Sequence, residues 1–319
     1  MRTQTEELLW IASQEDHLIP TSLIQFATSK RIGLRELLED CKPNDFQGIS
    51  FDDLSKFLKN RESINVRKYQ IIWDTVQKER INLITYDDLM FPSQLKELQS
   101  NHTVMLYQKG EPVEYKNCIA VVGTRDCSTR AAEIARELGM RLAKQNYVIV
   151  AGLARGIDAS AHRGAIAAGG KTIAVLPWIH NPYPKEHAKL LEEITQNGCV
   201  ISENFSAHKK LDKFKFIERN AIISAISDVL VAVESSTSGG TVWQVEIAVE
   251  QGRPVIAIEP ERENKDAYKG FEKFVDSGAI PVRSVKDALA TIKKIKDIQG
   301  KSEETIPEKP NAKKLSDYA

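Results

Sequence analysis

Four segments of the 319-residue chain carry residue types that could handle an anion. In VVGTRDCSTR, Gly123 lets the backbone turn after an apolar run, Thr124, Ser128 and Thr129 supply hydroxyls, and Arg125 supplies a planar donor fork. Ser128 or Thr129 can cap the helix that follows, and helix N-termini attract phosphate. In VAGLARGIDASAH, Gly152 and Gly156 bracket a tight turn that bears Arg155. Asp158 and Ser160 open a helix there, and His162 lies on the face of Asp158, four residues on. Such a turn either cradles phosphate, or leaves Asp158 as a cap and His162 as a partly buried polar contact. In HKKLDKFKFIERN, Lys209, Lys210, Lys213, Lys215 and Arg219 outnumber Asp212 and Glu218, with Phe214 and Phe216 interleaved. Cations follow a phosphate backbone and rings stack on unpaired bases. The plain alternative is a solvated helix face with its Phe packed inward. In ESSTSGGTVWQVE, hydroxyls precede Ser238, Gly239 and Gly240 at the start of a helix, a second anion-binding pattern or a surface loop.

No catalytic set accompanies these loops. A Ser/His/Asp triad would lack the nucleophile-elbow sequence. Glu203 after a strand and Glu246 on a helix are candidate paired carboxylates at no fixed separation. The loop at Gly123 is not a G-x-G-x-x-G, so the dinucleotide fingerprint is missing. His180 and His187 are too far apart for one helical turn and no cysteine joins them, so no metal is expected.

The elements that position these loops follow from periodicity. CIAVVG, YVIVAG, KTIAVLP, CVISE, DVLVAVE and PVIAIEP are near-continuous apolar runs, as strands covered on both faces require. Helical patterns alternate with them, several closed by Gly. The expected fold is α/β, an extended Rossmann-like, doubly wound, mainly parallel sheet with a small N-terminal helical domain. In such sheets ligands bind beyond the carboxyl ends of the strands, where the four loops fall. The expected organisation is a helical domain over residues 1–90, a Rossmann-like domain with its lead-in over 91–297, and a disordered polar tail over 298–319.

Composition narrows the class. There are 44 Lys+Arg against 44 Asp+Glu, so any nucleic-acid binding has to come from a local groove and not from bulk charge. Cys41, Cys118, Cys127 and Cys199 form no C-x-x-C pair, which points away from a disulfide framework. No signal-peptide pattern and no membrane-length apolar run is present, so a cytoplasmic location is expected.

At these motifs the chain resembles the DNA-processing protein A (DprA/Smf) family. IAVVGTR, GLARGIDASAHRGAIAAGGKTIAVL, the F-x-x-R-N arrangement of Phe216, Arg219 and Asn220, AVEQGRPVIAI and the closing GAIPV occur in order over roughly residues 80–285. The resemblance implies a single-stranded DNA-binding protein that dimerises, helps load the recombinase RecA during DNA uptake, and has no cofactor and no catalysis. It places Arg125 and the Lys-rich stretch before Phe216 along a DNA groove. Glu218 and Ala221 stand where the family usually has further arginines, and the loop S-G-G replaces S-G-S. TSGGT is similar instead to the P-G-G-x-G-T loop of relatives that bind nucleotide-derived ligands or hydrolyse nucleotide N-glycosidic bonds. A nucleotide-ligand sensor or hydrolase, in phage defence, is therefore the second reading.

Overall fold

The computed structural model describes residues 2–42, 45–61, 65–98, 103–180, 184–206 and 213–304. Five helices come first: α1 (Gln4–Asp16), α2 (Thr21–Lys30), α3 (Leu34–Glu39), α4 (Phe51–Arg61) and α5 (Gln70–Lys78). Thr3 and Glu6 close a reciprocal capping box on α1, which satisfies N–H groups the first turn leaves open. Then follow β1 (Asn82–Thr85), α6 (Ser93–Lys96), β2 (Met105–Gly110), β3 (Cys118–Val122), α7 (Thr129–Ala143), β4 (Val148–Ala151), α8 (Ile157–Ala167) and β5 (Thr172–Val175). The chain continues through α9 (Ala188–Asn197), β6 (Gly198–Ser202), α10 (Lys213–Ala225), β7 (Val229–Ala232) and α11 (Gly240–Glu250). It ends in β8 (Val255–Ile258), α12 (Lys265–Asp276), β9 (Ile280–Val282) and α13 (Val285–Glu304).

The strands form one sheet in the order β1-β2-β6-β5-β4-β3-β7-β8-β9. From β6 across to β9 every pairing is parallel, whereas β1 and β2 add an antiparallel edge. The mainly parallel, doubly wound sheet is thus the expected one. Alternation across the pleat explains the apolar runs. Ile119, Val121, Val229 and Val231 point to the face covered by α7, α8 and α13, while Ala120, Val122, Leu230 and Ala232 point to the face covered by α10, α11 and α12. Both sets are buried, so neither face tolerates polar residues.

The first helices share an apolar core with the sheet: Trp10 and Ile11 of α1 cluster with Met105 and Tyr107 of β2 and Val200 of β6. Polar contacts reinforce this. The Gln14 side-chain oxygen accepts from Val104 N (2.9 Å) and Met105 N (3.0 Å), and Glu15 accepts from Tyr107 Oη and from Phe205 N, both at 2.9 Å. At the other end α13 runs through Glu304, into the segment where polar composition predicts a tail; residues 305–319 lie outside the described ones. All four cysteines are free thiols. No helix among the described residues is long and apolar enough to cross a membrane.

Candidate functional site

Parallel strands deliver their following loops to one edge of the sheet. Chain order reverses at β3, whose neighbours β4 and β7 begin the two halves. Two crevices open at that edge.

The first lies between β3 and β7. Val233 N donates to Val122 O (3.0 Å) and Thr124 N to Glu234 O (2.8 Å), which ties the two strand ends together. The Glu234 carboxylate then accepts from Ser128 N and from Ser128 Oγ, each at 2.7 Å. Ser128 Oγ in turn accepts from Ala131 N (3.1 Å) as the cap of α7. The chain therefore supplies its own anion at this helix N-terminus. Glu259 and Glu261 line the same crevice, and Arg130 is held by Glu261 at 2.5 Å. Glu234 escapes sequence reasoning because its partner is 106 residues away; its only signal is an acidic residue ending the run DVLVAVE.

The second crevice lies between the turns after β3 and β4, with α10 beside them. Gly156 has φ +74°, and a Cβ there would stand 2.5 Å from both Thr124 O and Arg125 O. Only glycine lets the second turn pack on the first. Asp158, buried in the first turn of α8, gathers the site. Its Oδ2 accepts from Gly152 N (3.0 Å) and Ala154 N (3.3 Å) and lies 3.8 Å from the Arg219 guanidinium. Burial pushes the Asp158 carboxyl up, opposed by Arg219 and the backbone N–H groups. Burial likewise pushes Arg219 down, against the pull of Asp158 and helped by nearby Arg125.

Arg219 comes from α10 and is only 7% exposed. It rests where a side chain on residue 152 would be: a Cβ on Gly152 would fall 1.1 Å from its Nη1. Among the described residues its Nε has no hydrogen-bond partner. The guanidinium groups of Arg125 and Arg219 lie 5.6 and 6.0 Å from the Phe216 ring centroid, and Trp178 meets that ring edge-on at 5.9 Å. Arg155 is ion-paired with Glu186 at the rim. Arg125, Gly152, Ala154, Arg155, Phe216 and Arg219 together line a cavity of about 220 Å³, with Asp126 at its edge.

The remaining sequence candidates are placed as follows. Gly123 sits below this site, where a Cβ would meet the Ile157 side chain at 2.4 Å. Thr124 contributes its backbone to both crevices. Lys215, partly buried, pairs with Glu218 at 2.9 Å on α10, and Asn220 is partly buried beside Arg219 without lining the cavity. Lys213 begins α10; Lys209 and Lys210 lie outside the described residues. Ser238, Gly239 and Gly240 form the start of α11 and do not line the cavity.

Two expectations need correction. His162 is fully buried, not partly. Thr172 Oγ1 donates to Ile149 O (2.8 Å), so it must accept from His162 Nδ1 at 2.7 Å, and burial lowers the ring to about 3, which keeps it neutral. Glu203 and Glu246 are not a pair: Glu246 is exposed on α11, whereas Glu203 accepts from Thr103 Oγ1 (2.7 Å) and, among the described residues, has a second oxygen buried without a partner. Burial, with smaller contributions from Glu218 and Glu15, pushes Glu203 up to about 7 against the pull of Thr103 and Lys215.

Comparison with known proteins agrees with this architecture. The profile of the DNA recombination-mediator protein A family matches residues 82–293. Protein Smf of Synechocystis is 27% identical over 313 residues, 95% of this chain and 77% of that protein. The DNA processing protein DprA of Streptococcus pneumoniae is 33% identical over 204 residues, 64% of this chain and 71% of that protein. The X-ray structure of S. pneumoniae DprA superposes with a TM-score of 0.70 at 27% identity, covering 91% of this chain and 98% of that one. A Helicobacter pylori DNA processing protein A, whose structure is described as giving insight into its single-stranded DNA binding mode, matches with a TM-score of 0.59 at 25% identity, over 68% of this chain and 98% of its own. With a profile spanning the sheet and both crevices, this chain belongs to the DNA recombination-mediator protein A family.

Proposed function

We propose that this protein binds single-stranded DNA at the cavity between the turns after β3 and β4, in a binding role without catalysis. The observation that carries the reading is the Phe216 ring with the Arg125 and Arg219 guanidinium groups 5.6 and 6.0 Å from its centroid, at the carboxyl edge of the sheet. Guanidinium groups hold phosphates, and a ring beside them offers a face to an unpaired base. Overall charge is zero, so affinity has to come from such a local cluster. Arg125, Arg155 and Arg219 are the phosphate contacts in this reading and Phe216 is the stacking surface. Lys209, Lys210, Lys213 and Lys215 add further phosphate contacts in this reading. The family's description as a recombination mediator and the printed description of the H. pylori relative support the reading. In its fuller form the protein acts in the cytoplasm as a homodimer that hands the strand to the recombinase RecA.

The nucleotide-ligand reading rests on the Ser238–Gly240 loop at the start of α11, which does not line this cavity; the neighbouring α7 N-terminus is occupied by Glu234. Fluorescence anisotropy with labelled single- and double-stranded oligonucleotides at two salt concentrations tests the proposal. Single strands are expected to bind more tightly than duplex, with affinity falling as salt rises. A protein that binds no single strand even at low salt would overturn it.

A further inference from the structure

Arg219 is an unusual residue to find inside a groove that merely follows a backbone. Its side chain is 8% exposed, its Nε has no partner among the described residues, and it lines the floor of the cavity. The nearest carboxylate, Asp158, stands 3.8 Å away, beyond hydrogen-bond reach, and its nearer oxygen already accepts from Gly152 N and Ala154 N. A buried cation with an unpaired donor is costly unless something completes it. Above it stands Arg125, exposed and without an ion pair among the described residues.

We infer that the cavity seats a phosphomonoester: the phosphorylated end of a DNA strand, and not an internal phosphate. The inference rests on the single-strand reading above. A guanidinium so enclosed can be reached only from the cavity side. An internal phosphodiester brings a sugar on each of two ester oxygens and offers only two free oxygens. A terminal phosphate hangs from one ester bond, can be lowered to the floor, and presents three acceptor oxygens with nearly two charges at neutral pH. Arg219 at the floor and Arg125 at the mouth approach such a group from two sides, while Phe216 stands where the first base would lie.

The test is a competition assay. A labelled thymidine oligonucleotide with hydroxyl ends is displaced by unlabelled strands of the same sequence bearing a 5′-phosphate, a 3′-phosphate or neither. One phosphorylated strand is expected to compete about tenfold better than the hydroxyl strand, the worth of one hydrogen bond to a charged group. The advantage should fall to about twofold or less in Gly152→Ala, whose new Cβ displaces the Arg219 guanidinium; the ratio of phosphorylated to hydroxyl strand is read on the variant itself, whatever its overall affinity. Arg219→Lys, which keeps the charge and loses the fork, should do the same if Gly152→Ala does not fold. Equal competition by all three strands on the wild-type protein would overturn the inference and leave the single-strand reading standing. A thymidine 5′-mononucleotide that competes as well as the phosphorylated strand would overturn it in favour of a free nucleotide. Failure to bind any strand would remove the single-strand reading itself.

Discussion

Between β3 and β7 the group that meets the helix N-terminus is Glu234; between the turns after β3 and β4 the group at the floor is Arg219. The first crevice is the topological switch point, where doubly wound sheets usually take their ligand. Here its donors are used internally, by a carboxylate bonded to Ser128 N and Ser128 Oγ. The second leaves Arg219 Nε without a partner among the described residues and sets two more arginines and an aromatic ring around that guanidinium. On the proposed reading, one side-chain acceptor decides which of two adjacent crevices attracts an anion. A loop's position at a strand end makes it eligible for a ligand, and what already fills its donors determines whether it has one.

The contrast can be broken most forcefully at Arg219. Arg219→Ala leaves Asp158 buried without its cation, and breaking a buried pair costs about 3–5 kcal/mol. Urea denaturation should show a loss of that order, partly recovered when Asp158→Ala is added. A loss below about 1 kcal/mol would mean that the pair does not hold the cavity together.

A second effect belongs to the cationic side and is driven by pH. Glu203 faces Lys215 and Glu218 of α10 and Glu15 of α1, and it is raised from 4.5 to about 7. Between those values the folded state binds more protons than the unfolded state, so stability falls as pH rises through this window. The full difference is about 3 kcal/mol, present above pH 7 and absent below the unfolded value. Glu203→Gln should remove it, so the variant gains on the wild type as pH goes from 4.5 to 7.5. Parallel stability curves for the two proteins would show that Glu203 titrates normally.

The stacking and ionic parts of the cavity should separate. Phe216→Ala should weaken single-strand binding by about 1–3 kcal/mol with little change in salt dependence. Arg125→Ala should flatten the log–log salt slope by about 0.7. Identical salt slopes in Arg125→Ala and wild type would place that residue off the phosphate path. The smallest expected effect is in the other crevice. Glu234→Ala frees Ser128 N and should cost about 1–2 kcal/mol of stability while leaving single-strand affinity unchanged. Inorganic phosphate should then raise the melting temperature of the variant more than that of the wild type, since the α7 N-terminus has lost its own anion.

The apolar runs of β3 to β8 were legible in the sequence because both faces of those strands are covered, which leaves no alternative composition. Residues around Gly152, Gly156 and Phe216 were legible too, since glycines and a Lys/Phe mixture are informative on their own. What could not be read was pairing across distance. Ser128 has the same identity whether it binds phosphate or Glu234, and Asp158 looks like a cap whether or not Arg219 stands beside it.

The bond from Phe205 N to Glu15 spans 190 residues of chain. During synthesis α1 precedes the strands it packs on, which follow far behind it. At ribosomal speeds of about 5–20 residues per second, the acceptor on Glu15 waits roughly 10–40 s for its donor. For that interval the apolar side of α1, with Trp10 and Ile11, has no sheet to cover it. The nascent chain therefore keeps this surface uncovered by the sheet until its later strands arrive, and a chaperone bound there would have to leave before the sheet could close over it.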